Sequence, residues 1–330
     1  MLNTIVFFNN KGGVGKTTSI YHIAWMLAEL EHKVLVLDLD PQCNLSSMFL
    51  TEERLTEAIN EPSLTILNTI EPILDGEPQK KVHIEYINEN ISLLIGDLRL
   101  SALEDKLATS WAQCHAKDYL AFKICSVFQS VIQEASKIVK ADYILIDIGP
   151  NLGAINRSIL ISTNFLIVPV APDLFSLQGI KNIGMTINEW RKEWESNIKE
   201  KFPENKDKSV IATGKMLPLG YIISQYSAKE NKPVKAYSRW SEKIPKTYTE
   251  HILKKEFVEK ENNDPNQIGY IRHFHSLAPL SQEARKPMFL LKPADGAVGS
   301  HAEAVLQCYK TFEDLSYRII GRINEAKQNL

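Results

Sequence analysis

Short, uninterrupted apolar runs alternate along the chain with longer stretches in which apolar residues recur at helical spacing. The periodic stretches predict helices over 20–30, 117–139, 177–200 and 304–326. The uninterrupted runs are typical of strands that are buried on both faces, as in parallel sheets. They cover residues 4–8, 33–39, 91–95, 142–148, 165–170 and 219–223. This alternation predicts an α/β fold with a mostly parallel, doubly wound sheet and helices on both of its faces.

A glycine-rich stretch, residues 10–18, joins the first predicted strand to the first predicted helix. Glycines let backbone N–H groups turn toward phosphate oxygens, and a helix N-terminus favours bound anions. We expect Lys16 to place its charge at the β- and γ-phosphates, and Thr17 to offer its hydroxyl to Mg²⁺. The stretch therefore predicts a P-loop nucleoside triphosphatase. The residues expected to hold the phosphates are Gly12, Gly13, Val14, Gly15, Lys16, Thr17 and Thr18.

Aspartates stand at the carboxyl ends of two predicted strands. Asp38 and Asp40 close the run at 33–39, and Asp147 closes the run at 142–148. In open α/β sheets, ligands bind beyond the carboxyl ends of the strands, so these carboxylates are expected near the phosphate loop. Carboxylates in that position suit Mg²⁺ and the handling of water, and Asp147 fits the residue that holds Mg²⁺ through its water shell. Without the loop, ordinary capping of strand ends would be the better interpretation.

The loop has the form K-G-G-x-G-K-T-T, with Asn10 at the position where the common pattern G-x-x-x-x-G-K-[ST] has its first glycine. This form resembles the deviant Walker A loop of the ParA/MinD ATPases, which belong to the SIMIBI-like P-loop proteins. The resemblance implies that Lys11 acts like an arginine finger and crosses a dimer interface to the partner's nucleotide. It also implies a homodimer bound to ATP, with Mg²⁺-dependent hydrolysis of ATP to ADP and phosphate.

Two more motifs at the predicted nucleotide site resemble those of ParA proteins. The sequence D-x-D-P-Q, which starts at Asp38, resembles the switch I motif. That resemblance assigns Asp40 to orienting the attacking water and Asp38 to a supporting role beside the metal. After Asp147, the turn at Gly149 and Pro150 resembles switch II, although Gly149 stands where ParA proteins commonly have a proline. This departure weakens an assignment to a subfamily and leaves the superfamily assignment intact.

The resemblance to ParA covers about residues 1–200 and 270–330. Within it, residues 96–104 resemble the stretch that follows a strand in ParA proteins, and we assign them no chemistry. In the family, the end of the strand at 219–223 lies near the adenine base, which implies a contact from Gln225 or Tyr226.

Residues 168–179 resemble the ParA stretch that opens a helix near the dimer face. We interpret Asp173 and Ser176 there as caps of that helix.

We interpret residues 1–330 as a single domain that carries an inserted segment at about 201–268. The part of it from 227 to 268, called the basic segment below, is rich in lysine and aromatic residues. Between 227 and 260, nine Lys and Arg residues stand against five Glu residues. Basic residues interleaved with aromatic ones suit the phosphates and bases of a nucleic acid. A solvated helical insertion has the same composition, so both interpretations stay open.

Bulk composition excludes several classes of protein. The net charge of −2 argues against a protein that coats nucleic acid through its overall charge. The four cysteines form no C-x-x-C pair, which speaks against a disulfide framework, a cysteine metal site or a redox ATPase like nitrogenase reductase. The N-terminal apolar run is too short for a signal peptide, and no apolar run approaches the ~20 residues of a membrane span. We therefore expect a cytoplasmic protein.

Together these features predict an ATP-dependent, dimerising ATPase of the partition type. We expect it to bind DNA nonspecifically as an ATP dimer, to associate with the nucleoid, and to be stimulated by a ParB-like or other adaptor protein. Its cargo would be a plasmid, a chromosome or another object. A MinD-like ATPase that works on a membrane surface is an alternative, although the C-terminal helix has the spacing of core packing. A ParA-like motor of another operon, such as one for phage defence, is the second alternative.

Overall fold

The computed structural model describes residues 1–226, 228–229, 232–233, 239–259, 264–274 and 276–329. Ten strands lie in this part of the chain, and each predicted apolar run forms one of them. They are β1 Thr4–Phe7, β2 Val34–Asp38, β3 Glu85–Tyr86, β4 Ile91–Leu94, β5 Tyr143–Asp147, β6 Phe165–Val170, β7 Leu217–Tyr226, β8 Ala228–Lys229, β9 Lys232–Pro233 and β10 Gln267–Arg272.

Within the described residues, eight of these strands form one sheet in the order β10-β7-β6-β1-β5-β2-β4-β3. Neighbouring strands are parallel, except that β3 runs antiparallel to β4. Strands β8 and β9 form a separate antiparallel hairpin. Strands β1, β2, β5 and β6 are buried along their whole length, as their uninterrupted apolar sequences require. The predicted mostly parallel α/β fold is confirmed.

Helices cover both faces of this sheet. They are α1 Lys16–Glu29, α2 Asn44–Phe49, α3 Glu52–Asn60, α4 Ile66–Leu74, α5 Glu104–Cys114, α6 Tyr119–Cys125, α7 Val127–Val139, α8 Ala154–Ile161, α9 Leu174–Glu193, α10 Ile244–His251, α11 Leu277–Ala284 and α12 Ser300–Gln328. One apolar core joins the sheet to helices α4 to α10. A second core joins its other face to α1, α2, α3, α11 and α12. The sheet is therefore doubly wound, as predicted.

The predicted helix over 117–139 is two helices, because the chain breaks between α6 and α7 at Ser126. The buried hydroxyl of Ser126 accepts a hydrogen bond from the backbone N–H of Ala212, at 2.9 Å. A contact between residues this far apart in sequence is invisible to helical periodicity.

The structure describes parts of the segment that we interpret as an insertion at about 201–268. Residues Leu217–Tyr226 are strand β7, which pairs with β6 on one side and β10 on the other. Within the basic segment, the side chains of Ile244 and Tyr248 on α10 are fully buried. The Tyr248 ring packs against the ring of Tyr221 on β7, with centroids 5.1 Å apart. Ile244 and Tyr248 of the basic segment therefore belong to the core.

The C-terminal helix α12 packs along the sheet through its apolar face. Phe312, Leu315 and Ile319 on that face are buried, which confirms the interpretation of core packing. The side chain of Arg322 on this helix donates hydrogen bonds to the backbone oxygens of Leu219, at 3.0 Å, and Gln267, at 3.4 Å. Among the described residues, no helix is both long enough and apolar enough to cross a membrane.

Candidate functional site

The glycine-rich loop lies between the carboxyl end of β1 and the N-terminus of α1. Gly13 and Gly15 adopt φ angles of 72° and 79°, in the left-handed region that glycine enters without strain. Gly15 is the N-cap of α1, and no side chain caps that helix. The backbone N–H groups of the first turn of α1 can therefore bind an anion, and the helix dipole favours such binding. The side chain of Val14 points into the protein and is fully buried, so Val14 has only its backbone to offer a phosphate.

Lys16 extends from the first turn of α1 into a site where only 8% of its surface is exposed. Its Nζ donates to the backbone oxygen of Asn9, at 3.2 Å. Burial lowers the pKa of Lys16, while the nearby carboxylates of Asp147 and Asp40 act in the opposite direction. The ammonium group thus lies at the carboxyl edge of the sheet. Because it is buried there, a negatively charged ligand bound next to it would be favourable.

Asp38 and Asp147 lie side by side at the ends of β2 and β5, and neither is exposed to solvent. The Thr17 hydroxyl donates to Asp147 Oδ2 at 2.7 Å, and the backbone N–H of Ser46 donates to Asp38 Oδ2 at 2.7 Å. The other carboxylate oxygen of each aspartate, Oδ1, finds no partner within the described part of the chain. Sequence reasoning predicted the two aspartates and the threonine together, and the structure brings them together.

The electrostatics of this pair fit a bound cation. Burial, with neighbouring carboxylates, raises the pKa of Asp147 to about 8 and that of Asp38 to about 6. Two buried carboxylates with unsatisfied oxygens are costly unless a positive charge compensates them. Oxygen ligands of this kind, with the Thr17 hydroxyl, are those that Mg²⁺ prefers. The described residues contain no group of three or more His, Cys, Asp or Glu that could hold a metal ion.

Asp40 lies at the same edge and is almost buried. Its Oδ1 accepts a hydrogen bond from the backbone N–H of Gln42 at 3.0 Å. The loop after β5 approaches it closely, since a Cβ atom at Gly149 would lie 3.3 Å from the same oxygen. The glycine that departs from the ParA pattern therefore leaves space beside the Asp40 carboxylate.

Lys11 forms an ion pair within its own chain, which sequence reasoning missed. Its Nζ donates to Oδ2 of Asp173, at the start of α9. The other oxygen of Asp173 accepts from the backbone N–H of Ser176 at 2.8 Å, so Asp173 also caps α9, as expected. The sequence held a signal for the cap and none for the ion pair, because 162 residues separate the two side chains.

His22 ties α1 to a distant part of the chain. The backbone N–H of Met288 donates to His22 Nε2 at 3.1 Å, which makes Nδ1 the protonated nitrogen; Nδ1 lies 2.8 Å from the backbone oxygen of Thr18. The imidazole also stacks on Phe312 of α12, with centroids 4.8 Å apart. Burial lowers the pKa of His22 to about 4, so the ring is neutral at ordinary pH. Thr18 itself has an exposed side chain.

Gln225 lies on β7, and its side chain is outside the part of the structure that is described. Its predicted contact with adenine therefore stays a prediction.

The chain matches an established family over most of its N-terminal part. A family model described as an AAA domain covers residues 2–200. An uncharacterised protein of Methanocaldococcus jannaschii is 30% identical over 241 residues, which are 72% of this chain and 78% of that protein. A ParA family protein of Mycoplasma pneumoniae is 27% identical over 201 residues, 59% of this chain and 67% of that protein. The chain spans about half the length of several other curated relatives that it matches.

Solved structures share the fold. A protein of Corynebacterium diphtheriae is similar with a TM-score of 0.69 and 28% identity, over 86% of this chain and 97% of that chain. A putative plasmid partition protein of Borrelia burgdorferi, solved with AMPPNP bound, is similar with a TM-score of 0.60 and 18% identity, over 97% of this chain and 99% of that chain. At that identity, the second likeness shows the fold alone.

Proposed function

The chain belongs to the AAA domain family that residues 2–200 match, in its ParA/MinD branch, and on this premise we propose that it is an ATP-hydrolysing switch that positions cargo. The observation that carries the proposal is the arrangement at the carboxyl edge of the sheet. There the buried Lys16 ammonium lies near the carboxylate of Asp147, a residue that pairs in register with Asp38. Within the described part of the chain, one oxygen of each of these two buried aspartates has no hydrogen-bond partner. This is the charge pattern that a triphosphate with a divalent cation would complete.

In the proposed reaction, the glycine-rich loop and the first turn of α1 hold the phosphates of ATP. Lys16 neutralises charge on the β- and γ-phosphates from its buried position. Thr17, Asp147 and Asp38 are the residues that would hold Mg²⁺, directly or through its water shell. When bound, Mg²⁺ supplies positive charge that stabilises the phosphate oxygens in the transition state. These residues bind and orient, since phosphoryl transfer depends mainly on positioning and charge.

Asp40 is proposed to orient the water that attacks the γ-phosphate. Its carboxylate is held on one side by the N–H of Gln42, and the space at Gly149 lies next to it. Lys11 is proposed to stabilise transition-state charge across a homodimer. It would first have to leave Asp173, its partner within the single chain. ATP would then hold the dimer together, and hydrolysis would release it.

The ATP dimer is further proposed to bind DNA nonspecifically, in association with the nucleoid, and to respond to a ParB-like or other activating adaptor. Relatives support this direction: one is a chromosome partitioning protein ParA of Myxococcus xanthus, 26% identical over 185 residues, 56% of this chain and 57% of that protein. Exposed lysines on and beside α10 would give the basic segment its contacts with DNA phosphates.

One experiment tests the ATP switch together with its DNA binding. Binding to a random-sequence duplex and the mass of the protein in solution are measured with ATP, with ADP and without nucleotide, and phosphate release is measured with ATP and Mg²⁺. ATP alone should produce both a dimer and DNA binding. A dimer that forms with ATP and ignores DNA would overturn the DNA part, whereas absence of ATP hydrolysis and of an ATP-dependent dimer would overturn the proposed switch.

A further inference from the structure

Helix α8 begins directly after the loop that resembles switch II, called here the switch II loop, residues 149–153. Its N-cap, Gly153, has no side chain to cap the helix, so the first N–H groups of α8 need another partner. Glu104, at the start of α5, supplies it. Oε2 of Glu104 accepts from the N–H of Ile155 at 3.1 Å, and Oε1 accepts from the N–H of Ala154.

This contact is closely fitted. A Cβ atom at Gly153 would overlap the Glu104 carboxylate, so glycine at this position makes room for the distant cap. The backbone of Gly153 is extended, with φ −85° and ψ −178°, a conformation open to any residue. A side chain at residue 153 would therefore displace the Glu104 carboxylate, although the backbone there accepts any residue. A carboxylate bonded to two N–H groups at a helix N-terminus is a charge-assisted contact that the helix dipole strengthens.

The first turn of α8 holds the switch II loop in turn. The buried side chain of Asn156 donates through Nδ2 to the backbone oxygens of Gly149 and Asn151, both at 2.7 Å. Gly149 is the residue whose Cβ position lies 3.3 Å from Asp40 Oδ1. A shift of α8 would thus move the backbone next to the Asp40 carboxylate.

Glu104 closes residues 96–104, and the other end of that stretch contacts the end of β2 and helix α2. The N–H of Gly96 donates to the hydroxyl of Ser46 at 3.0 Å, and the N–H of Ser46 donates to Asp38 Oδ2. A Cβ atom at Gly96 would lie 3.1 Å from Asp38 Cγ. Residues 96–104 therefore contact the end of β2 and helix α2 at one end, and the start of α8 at the other.

From these contacts we infer that Glu104 is a positioning residue for ATP hydrolysis: it fixes the start of α8, and through Asn156 the switch II loop beside Asp40. The inference rests on the proposed function, and it gives residues 96–104 the role that their sequence alone did not indicate. The hydrogen bonds from Glu104 to α8 are made to its backbone, and Glu104 itself is not among the residues proposed to hold ATP, so its loss should affect turnover more than ATP binding.

The first test compares Glu104→Gln with Asp105→Asn. Both residues lie in the acidic first turn of α5, but Asp105 is exposed, so the control removes the same charge from the same turn. We expect Glu104→Gln to lower kcat about tenfold with KM for ATP nearly unchanged, since small misplacements of reacting groups have effects of this order. Hydrogen exchange at Ala154 and Ile155, measured without nucleotide, should rise about tenfold, as expected when a helix cap is removed. Asp105→Asn should change neither.

The second test restores the cap from a different position. Gly153→Ala alone should lower kcat, because its methyl group displaces the Glu104 carboxylate. In a Glu104→Ala background that carboxylate is gone, so Gly153→Ala should have little further effect. The double variant Glu104→Ala with Gly153→Asp places a carboxylate at the N-cap itself, in the extended conformation that N-caps use. It should recover most of the turnover and most of the protection from exchange.

The outcomes separate the positioning role from the proposed function. Normal kcat and normal exchange in Glu104→Gln would refute the positioning role, as would faster exchange with unchanged kcat, which would leave Glu104 only a structural cap. Absence of ATP turnover in the unmodified chain would instead refute the proposed function. In that case the exchange measurement still reports whether Glu104 holds α8.

Discussion

The nucleotide edge, where β1, β2 and β5 end, and the basic segment both carry lysines, but the two regions place them differently. At the edge, Lys16 is almost buried and directed by a hydrogen bond to Asn9. In the basic segment, Arg239, Lys243 and Lys246 are exposed. Two of them, Arg239 and Lys243, lie 5.2 and 5.1 Å from the centre of the Trp240 ring.

The difference shows what sequence spacing and composition can each predict. Spacing in the glycine-rich loop is tied to backbone geometry, so it predicts where Lys16 and Thr17 point. Composition in the basic segment predicts an excess of charge but no position. The structure divides that segment between core and surface, since Tyr248 is fully buried a few residues from exposed cations. The aromatic residues of the basic segment therefore include Tyr248, which packs in the core, and cannot all be assigned to a binding surface.

The largest effect is expected from a change at the nucleotide edge, where Lys16 is buried. Lys16→Ala should abolish ATP binding, a loss of more than about a hundredfold in affinity, because a buried charge that would face phosphate is removed. Titration with a fluorescent ATP analogue measures it. Lys11→Ala is the matched control: its ammonium lies on Asp173, so affinity in the single chain should be kept. Unchanged affinity in Lys16→Ala would rule out the phosphate-loop assignment.

Asp40→Ala should leave ATP binding intact and lower turnover by about 10²–10⁴-fold, the usual contribution of a group that handles a reacting proton or water. The variant should then accumulate as an ATP dimer. Phosphate release and the mass in solution are measured together. Full turnover in this variant would show that the Asp40 carboxylate has no part in hydrolysis.

For the basic segment, Tyr248→Ala tests whether part of it is core. The buried ring packs on Tyr221, so its removal should lower the free energy of unfolding by about 3–5 kcal/mol. Tyr248→Phe keeps the ring and should stay close to the unmodified protein. Urea denaturation followed by circular dichroism measures both. A stable Tyr248→Ala variant would mean that the segment decorates the surface throughout, which would break the contrast between the two regions.

The nucleotide edge should also respond to acid through His22 on α1. Its pKa is about 4 when folded, against an ordinary value of 6.5, so below pH 6.5 the unfolded chain takes up a proton that the folded chain refuses. The contribution of the neutral His22 to the free energy of unfolding is fully present above pH 6.5. It falls by up to about 3 kcal/mol as the pH drops to about 4. The His22→Gln variant should be less stable at neutral pH, and its free energy of unfolding should lack the loss that His22 causes in acid. The prediction is wrong if the free energy of unfolding falls with the same slope in both proteins between pH 6.5 and 4.

The smallest effect is expected on DNA binding. Changing Arg239, Lys243 and Lys246 to Glu should weaken affinity about tenfold and flatten its dependence on salt, by about 0.9 in logarithmic slope for each DNA phosphate that is no longer neutralised. Lys106, Lys137 and Lys140, which are exposed on or beside other helices, are changed to Glu as a control with the same net charge. Equal losses of affinity in both variants, or none in the first, would favour a solvated segment.

The sequence predicted what depends on local spacing and failed where distant residues meet. Uninterrupted apolar runs located strands β1, β2 and β5, and aspartates at their ends located the buried pair Asp38 and Asp147. The contacts of His22 with Met288, and of Glu104 with α8, join residues 266 and 50 or 51 positions apart. No local sequence pattern predicts such a contact, because the spacing around each residue indicates only the helix or strand to which it belongs.

The ion pair between Lys11 and Asp173 makes salt act on the protein in two opposing ways. The two side chains are 31% and 36% exposed, and a pair of that kind contributes about 0.2–1 kcal/mol. Keeping Lys11 paired with Asp173 would therefore disfavour dimer closure by at most about fivefold for each protomer. Added salt screens the pair and lowers that barrier, yet the same ions compete with the protein for DNA. An intermediate ionic strength should therefore populate a closed ATP dimer that is detached from DNA, separating assembly from attachment.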